Sequence, residues 1–467
     1  MKFQIPNSKF QISRRLGLTG LALLLPCCVF QSPTDDLTIR TPGTWVAASS
    51  GIERKISTGW LDEFSDRGLK RSVNKALAHN RSLKAASARL REAKESTIIT
   101  RANQLPSLDI GGRGSVSDGS AIPRSQGYGL NLAASWEPDL WGRLRDLTRA
   151  AEADERAAIE DFRGARLSLA ANAAKTYTNL VSSEQEVDLA KFTLESFQKN
   201  LRIIERNYKA TGEGALDIQF ARTNVSSAQR ALEARSLDRE NAARTLEVLQ
   251  GSYPGGQSRS ASDLPDLPGS IPAGIPADLI ERRPDLAAAR ARLFASSKRA
   301  DAARKNLLPG FSLTGSSGSA GARFSDLLNT DFLISTIAGR VDQVLFDGGG
   351  LAAQARGSLA RNDRLVNEYA QLSLEAFREV EATLAADRSL AIQEKFLLKE
   401  VAQASLAEKQ AERDYAEGIN PNILSVLEAQ RRANNARASI IRLKNQRLQN
   451  RFDLHLALGG DFRTEPK

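Results

Sequence analysis

The stretch of sequence that decides the fold is residues 180–208, LVSSEQEVDLAKFTLESFQKNLRIIERNY. Its apolar residues recur every seven positions, at Leu180, Val187, Leu194, Leu201 and Tyr208. A second apolar set follows members of the first by three residues, at Ala190, Phe197 and Ile204. This is the a/d pattern of a coiled coil, sustained over four heptads. The segment therefore predicts a long helix that packs lengthwise against other helices.

The helix has a second apolar edge and a counterpart later in the chain. Phe192 and Ile203 lie off the first seam, which is typical of a helix packed between two neighbours, as in a ring. The same seven-residue spacing returns, with smaller residues, at Leu390, Leu397, Ala404 and Ala411. The helical pattern from Arg143 to Thr211 would span roughly 100 Å. A globular core does not require such length, so the length itself is predicted to serve the function.

The chain repeats one plan twice. In each half a helical stretch ends in Leu-Pro before a short alternating strand, at Pro106 and Pro309, which are 309 − 106 = 203 residues apart. The two long helices close at Tyr208 and Tyr415, which are 415 − 208 = 207 residues apart. The fold class predicted is therefore mainly α, with duplicated long coiled-coil helices and four short strands.

This duplication gives the predicted organisation of the chain. The segments are a signal peptide at 1–26, an extended N-terminal segment at 27–65, a first repeat at 66–250, a Pro/Gly linker at 251–276, a second repeat at 277–460 and a tail at 461–467. The elements are strands at about 106–118, 126–137, 310–319 and 332–346, long helices at 143–211 and 350–416, and return helices at 216–250 and 423–458.

The predicted strands alternate between apolar and polar residues. In the first, Leu108, Ile110 and Val116 share one face, and Asp109 and Arg113 share the other. This alternation is typical both of a transmembrane barrel and of a half-buried sheet in a soluble domain. Four strands cannot close a barrel, since the smallest barrels have about eight. A barrel would therefore have to be shared by several chains.

The N-terminus predicts export. Residues 1–15 are basic and Leu16–Phe30 are mostly apolar, which is the pattern of a secretory signal rather than of a membrane span. Cys27 and Cys28 follow Pro26 where a signal peptidase would act. One of the two is predicted to carry lipid, although Pro26 is an unusual residue in that position. The alternative is ordinary cleavage nearby with two incidental cysteines.

The composition excludes several functional classes. Two histidines and two adjacent cysteines leave few ligands for a transition metal or groups for nucleophilic catalysis. The net charge of +10 comes from basic residues interleaved with acidic ones, so a nucleic-acid surface is not indicated. The phosphate-binding pattern G-x-x-x-x-G-K-[ST] is absent from the sequence. We therefore expect a protein that is not an enzyme and holds no cofactor or metal.

Three strings resemble a known family. They are residues 60–89 from Trp60-Leu-Asp-Glu-Phe to Arg89, residues 136–143 (Trp-Glu-Pro-Asp-Leu-Trp-Gly-Arg) and residues 275–286 (Ile-Pro-Ala-Asp-Leu-Ile-Glu-Arg-Arg-Pro-Asp-Leu). They are similar to TolC-like outer-membrane factors, in the OprM/NodT lipoprotein branch that serves resistance-nodulation-division (RND) pumps. The likeness covers about residues 45–460 and occurs in order in both halves.

The resemblance implies a homotrimer in the outer membrane of a Gram-negative bacterium. Each chain would give four strands to a 12-stranded barrel and helices to a periplasmic α-barrel tunnel with an equatorial region around it. The implied function is a passive exit duct for small molecules, whose partners are a periplasmic adaptor, an inner-membrane RND pump and outer-membrane lipid. A duct for type I protein secretion is the alternative.

One group of residues is predicted to have structural roles, and a second group is predicted to contact the adaptor. The strand-to-helix turn and the start of the second repeat have predicted structural roles, at Pro138, Asp139, Gly142, Arg283, Pro284 and Asp285. The two helix–turn–helix tips are predicted to contact the adaptor, at Gly212, Leu216, Asp217, Gly418, Asn420 and Ile423.

The resemblance also implies a periplasmic gate, at Leu424 and Glu428. A spacing of four places both residues on one helix face, and three copies would form an apolar ring and an anionic ring. The tip is one residue longer than the family pattern, so a register that brings Ile423 forward remains open.

Overall fold

A computed structural model describes residues 44–47, 59–120, 122–212, 214–260, 263–269, 276–419 and 422–460. These residues form two compact units. Unit 1 contains residues 90–158 and 288–372, and unit 2 contains residues 42–89, 159–287 and 373–467, so far as each range is described. Each unit contains segments of both sequence repeats.

The structure is mainly helical. The helices are α1 (Trp60–Glu63), α2 (Arg67–His79), α3 (Arg81–Ala102), α4 (Arg143–Thr211), α5 (Ala215–Leu249), α6 (Pro276–Arg282), α7 (Pro284–Lys305), α8 (Gly350–Ala416) and α9 (Ile423–Ala457). The long helices α4 and α8 have the bounds expected from the sequence, and the return helices α5 and α9 end one residue earlier. Across the described ranges, none of these helices is apolar enough over a sufficient length to cross a membrane.

The first helix of each repeat is broken. The sequence pattern did not predict the break at Asn80, whereas a helix start at Pro284 and Asp285 was expected. Asn80 separates α2 from α3, and its side chain accepts a hydrogen bond from the Leu83 N–H at 2.9 Å. Arg283 separates α6 from α7 at the equivalent place. An N-capping side chain and the proline that follows Arg283 both favour a new helix start, so the chain restarts rather than continues.

The four strands form one antiparallel sheet in the order β1-β2-β3-β4, where β1 is Ser107–Gly119, β2 Ile122–Trp136, β3 Gly310–Gly321 and β4 Leu333–Asp342. The prediction that the last strand reaches residue 346 was wrong. Asp342 pairs with Gly310, and the residue before Gly310 is Pro309. Proline has no N–H to donate, so the ladder ends there.

The sheet has one polar and one largely apolar face, as the alternation predicted. Residues paired across the strands share a face, so the row Ser107, Ser135, Thr314 and Ala338 is polar or small. The adjacent row contains Leu108, Ala134, Gly315 and Ile337. Leu108 and Ile337 are 68% and 83% exposed in the single chain, so the described residues leave this apolar face uncovered.

Arginine–carboxylate pairs join the helices of each hairpin within unit 2. Arg451 of α9 donates to Asp387 of α8 at 3.1 Å, and Arg437 and Arg447 pair with Glu408 and Glu394 in the same way. In the other hairpin, Arg239 of α5 donates to Glu184 of α4 at 3.0 Å. Partly buried pairs of this kind fix which residues of the two helices lie side by side.

The core of unit 2 gathers the N-terminal helices, the long helices and the return helices. Trp60, Phe64 and Phe452 lie at its centre, and each is at most 2% exposed. Trp60 meets Phe64 edge-on at 6.3 Å between ring centroids and Phe452 at 5.6 Å. Such aromatic pairs add stabilisation beyond the area they bury.

A buried histidine borders this core. His455 is 1% exposed and stacks on Trp60 with ring centroids 5.4 Å apart. Neither ring nitrogen has a hydrogen-bond partner in the described part of the chain. Burial, together with the nearby charge of Arg451, lowers the pKa of His455 from 6.5 to about 3. The folded protein therefore holds this imidazole neutral at mildly acidic pH.

We expect His455 to make the protein acid-sensitive. Below about pH 6.5 His455 is protonated in the unfolded chain but stays neutral in the folded protein. The free energy of unfolding therefore falls as the pH is lowered, until about pH 3. The His455→Phe variant should show a smaller drop in unfolding temperature between pH 7 and pH 5 than the wild type. The exposed His79, changed to glutamine, is the control. An equal drop in His455→Phe and wild type would contradict this.

Candidate functional site

The two helical hairpins end in glycine turns. Gly212 follows α4 with φ of +76°, and Gly418 follows α8 with φ of +74°. The Gly212 N–H donates to the Tyr208 carbonyl at 2.8 Å, and the Ile419 N–H donates to the Asp414 carbonyl at 2.9 Å. Each bond satisfies one carbonyl in the last turn of its helix, and glycine adopts the left-handed conformation without steric cost.

A small apolar cluster ties the two hairpins together just inside the turns. We call it the tip cluster, and its buried members are Ile204, Ile218, Ala221, Ile423 and Val426. Leu201, Ala411, Tyr415 and Leu427 pack around it. Helices α4, α5, α8 and α9 all contribute, so both repeats are joined at this end.

The tip cluster has a polar border. Burial raises the pKa of Tyr415, and the charge of Asp217 raises it further, although Asn207 hydrogen-bonds the phenol. Tyr415 belongs to α8, whereas Asp217 belongs to α5 and Asn207 to α4. Contacts between the hairpins here therefore include a polar network as well as packing.

The residues predicted to gate the duct lie on α9 beside the tip cluster. Ile423 is 2% exposed and Leu424 is 51% exposed, so Leu424 is the one that faces outward from its own chain. Glu428 accepts hydrogen bonds from Arg431 at 2.8 Å and from Arg432 at 2.7 Å. Arg431 first, and then Arg432, lowers the pKa of Glu428 to about 2. Its negative charge is therefore matched by two positive charges.

Gln430 has a role that sequence reasoning missed. It is fully buried, and its amide bonds to Asn200 and Ser196 of α4 and to Glu412 of α8 at 2.9, 3.1 and 2.7 Å. A buried amide between three helices specifies their alignment, because any shift leaves polar atoms unsatisfied. A glutamine on the apolar side of α9, four residues after Val426, was the available signal.

The strand-to-helix turn of the first repeat lies in unit 1. The Asp139 carboxylate accepts from the N–H groups of Leu144 and Arg145 at 3.0 and 2.8 Å and so caps α4. Gly142 has φ of +75°, and its carbonyl accepts from Lys305 at 3.2 Å. A cavity of about 580 Å³ opens beside this turn and is lined by Pro138, Asp139 and both tryptophans of the segment, among others.

Arg283 is the hub at the start of the second repeat. It is 8% exposed and donates to Asp285 at 2.7 and 3.0 Å, to Glu379 at 2.7 Å and to the Ala457 carbonyl at 3.3 Å. Burial would lower the pKa of Arg283, but Asp285 and Glu379 outweigh it and raise that pKa. Arg283 therefore connects the start of α7 to α8 and to the end of α9.

The remaining predicted residues are placed as follows. Leu216 is 65% exposed at the first tip, and Asp217 is half-buried there. Cys27, Cys28 and Asn420 lie outside the described residues.

Comparison with known proteins identifies the class. The model of the outer membrane efflux protein family matches residues 72–252 and 275–460, which is most of the chain. This protein belongs to the outer membrane efflux protein family. It is an outer-membrane protein of the TolC-like channel class, as its sequence resemblance indicated.

Individual relatives match nearly end to end. Outer membrane protein OprJ of Pseudomonas aeruginosa is 33% identical over 95% of this chain and 95% of its own length. The pyoverdine export outer membrane protein OpmQ of Pseudomonas putida is 29% identical over 97% of this chain and 99% of its own. The open-state structure of the Neisseria gonorrhoeae MtrE outer membrane channel matches with a TM-score of 0.81 and 25% identity, covering 91% of this chain and 98% of that one.

Proposed function

We propose that this protein is the outer-membrane exit duct of a tripartite RND-type efflux pump, through which small molecules pass passively from the periplasm to the exterior. The observation that carries the proposal is the pairing of an alternating four-stranded sheet with two helices of 69 and 67 residues in one chain of this family. No catalytic step is assigned to the chain. Energy would come from the inner-membrane pump.

The names of the relatives support efflux over protein secretion. They include proteins for pyoverdine export, cation efflux, solvent efflux and toluene efflux. These cargoes are small, and the cargo of this chain is proposed to be small as well. Which molecules it passes would depend mainly on the pump that feeds it.

The assembly proposed is a homotrimer. Four strands from each chain make a 12-stranded barrel when three chains combine, and the family resemblance gives that strand number. The exposed apolar face of the sheet would then meet lipid. Native mass spectrometry of detergent-extracted protein tests this, and a stable monomer would contradict it.

A lipid anchor on Cys27 or Cys28 is part of the proposal. Mass analysis of the mature N-terminus should find a lipidated cysteine. An unmodified terminus elsewhere would remove the anchor but not the duct, because the strands hold the protein in the membrane regardless.

The adaptor is proposed to contact the two glycine tips. A Cβ at Gly212 or Gly418 meets no other atom within 4 Å, so a bulky side chain has room to project from the turn, and the left-handed φ adds backbone strain. Gly212→Trp with Gly418→Trp should abolish drug resistance while the trimer still forms. Gly212→Asn tolerates the left-handed φ and should retain resistance, as should Gly255→Trp at an exposed linker position. Full resistance in the double tryptophan variant would count against docking at the tips.

The gate is proposed to lie at Leu424 and Glu428. Three exposed leucines around one axis would resist wetting. In a planar bilayer, Leu424→Ala should raise the conductance of purified protein. Glu428→Gln removes a carboxylate that balances Arg431 and Arg432, so it should shift selectivity away from cations. Glu417→Gln, an exposed acid near the other side of the turn, is the control. If neither gate variant differs from wild type, the constriction lies elsewhere.

A further inference from the structure

The two repeats match residue for residue around the sheet. Helices α3 and α7 begin at Arg81 and Pro284, and 284 − 81 = 203. Strands β1 and β3 begin at Ser107 and Gly310, which gives 310 − 107 = 203 again. After the second strand of each repeat the offset becomes 207, because α4 begins at Arg143 and α8 at Gly350. The glycine before each long helix, Gly142 or Gly349, has a left-handed φ in both.

The strand pairing confirms these offsets independently. Ser107 pairs with Ser135 in the first hairpin. Adding 203 to residue 107 gives Gly310, and adding 207 to residue 135 gives Asp342. Gly310 does pair with Asp342 in the second hairpin. The two hairpins therefore have equivalent registers.

Among the described strands, the two repeats meet at one junction, that of β2 with β3. Strands β1 and β4 are the free edges of the sheet. If copies of this chain share one barrel, β4 must pair with β1 of the partner subunit, and that junction is the counterpart of β2 with β3. Its register then follows from the same offsets.

We propose that each subunit junction of the barrel places Arg340 directly opposite Arg113 of the partner subunit, and that the two arginines form an anion-binding site on the lumen face. Ala133 pairs with Ser316 inside the chain. The residue of β4 that corresponds to Ala133 of β2 is 133 + 207 = 340, which is Arg340. The residue of β1 that corresponds to Ser316 of β3 is 316 − 203 = 113, which is Arg113. The inference rests on the shared barrel proposed above and adds the register and the site.

The same offsets predict compatible cross-strand pairs elsewhere along this subunit junction. Leu130 and Ser319 pair within the chain, and they map onto Ile337 and Val116 of the partner subunit. Both are apolar and would pack side by side on the lipid face, as β-branched cross-strand pairs do. In this register every residue of β4 except one lies opposite a residue of β1 of the partner subunit. The backbone hydrogen-bonding groups of the β4 edge therefore find partners along nearly its whole length.

The polar face carries the arginines. Arg340 pairs with Ser312 and Arg113 pairs with Gly129, which puts both arginines in the polar rows of the sheet. Both are exposed, and no ion pair is found for either one within the described ranges. The nearest carboxylate on this face of β4 is Asp342, two residues away and opposite Gly111 of the partner subunit.

Two guanidinium groups in directly opposed positions repel each other, and an anion between them relieves that repulsion. The Cβ atoms of such a pair lie about 4.5–5.5 Å apart, where like charges destabilise a sheet. A carboxylate or phosphate group can accept hydrogen bonds from both guanidiniums and removes the repulsion. The site is incomplete in one chain, because each subunit supplies one arginine to each of two junctions.

Cysteine cross-linking tests the register in the full chain. Asn131 and Gly318 pair in the chain and map onto Ala338 and Ser115 of the partner subunit. Ala338→Cys with Ser115→Cys should give covalent trimers under mild oxidation faster than Ala338→Cys with Arg113→Cys or with Ser117→Cys. Ala338→Cys alone controls for pairing with Cys27 or Cys28.

The outcomes separate this inference from the proposed function. Fastest cross-linking at residue 113 or 117, or trimers that cross-link at none of the three positions, would overturn the register alone. Monomers in native mass spectrometry would overturn the shared barrel as well.

Reversal potentials in a potassium chloride gradient test the anion site. Arg340→Gln with Arg113→Gln should lower the chloride-to-potassium permeability ratio by about twofold or more. Added inorganic phosphate should reduce chloride current in the wild type and not in this variant. Arg124→Gln removes the same charge from the opposite face of the sheet and should change neither. A double variant that behaves like Arg124→Gln would show that Asp342 already neutralises the arginines, and would overturn the site.

Discussion

Replacing Ile423 by aspartate is expected to open the periplasmic end of the duct. Ile423 lies in the tip cluster, where α4, α5, α8 and α9 meet. Loss of a buried isoleucine costs about 2–5 kcal/mol, and a carboxylate in its place must remain in contact with water. Separation of the tips would bring that carboxylate into contact with water.

The effect should be large in cells and in bilayers. Cells carrying Ile423→Asp should become sensitive to antibiotics too large for ordinary outer-membrane pores, and the purified protein should conduct more than wild type. Ser425→Asp adds the same charge two residues away at an exposed position and is the control. Wild-type conductance from Ile423→Asp, with the protein folded and inserted, would show that the tip cluster does not hold the duct closed.

Trp60→Ala is expected to give the largest loss of stability among single substitutions in unit 2. Trp60 is 2% exposed and packs against Phe64, Phe452 and His455. Removing a buried tryptophan costs about 3–5 kcal/mol, because the cavity left by the indole cannot fully collapse. The N-terminal helices should then detach from the long helices first.

Thermal unfolding and limited proteolysis measure this effect. The variant should unfold at a lower temperature, and cleavage should begin within α1 or α2. Trp141→Ala is the matched control, since Trp141 is 45% exposed. Equal unfolding temperatures for Trp60→Ala and Trp141→Ala would contradict the central place given to Trp60.

Much of the fold could be predicted from sequence because its signals are periodic. The seven-residue spacing from Leu180 to Tyr208 and the alternation from Ser107 onward each reflect a repeating geometry. The end of β4 could not be predicted from its own residues. It is set by Pro309, which immediately precedes the neighbouring strand β3, and which residue faces Pro309 depends on the pairing register.

The candidate site was less accessible to sequence reasoning, because its contacts join distant segments. Leu424 and Glu428 were singled out by resemblance. The ion pairs of Glu428 with Arg431 and Arg432 are the exception, because a spacing of three and four residues on one helix predicts them from the sequence. The place of Gln430 on the apolar side of α9 indicates a buried amide, but its partners Asn200 and Glu412 lie 230 and 18 residues away along the chain and could not be predicted. The burial of the His455 ring likewise follows from packing against Trp60.

The measurement that tests the central claim most directly is dye efflux from living cells. Cells that lack this chain but keep its pump and adaptor are loaded with a fluorescent efflux substrate and then energised. The loss of cell fluorescence with time measures the rate of efflux. Re-expression of the chain should restore rapid efflux, and the Gly212→Trp, Gly418→Trp protein should not. Equally slow efflux with and without the wild-type chain, with the protein present in the outer membrane, would contradict its role as the exit duct.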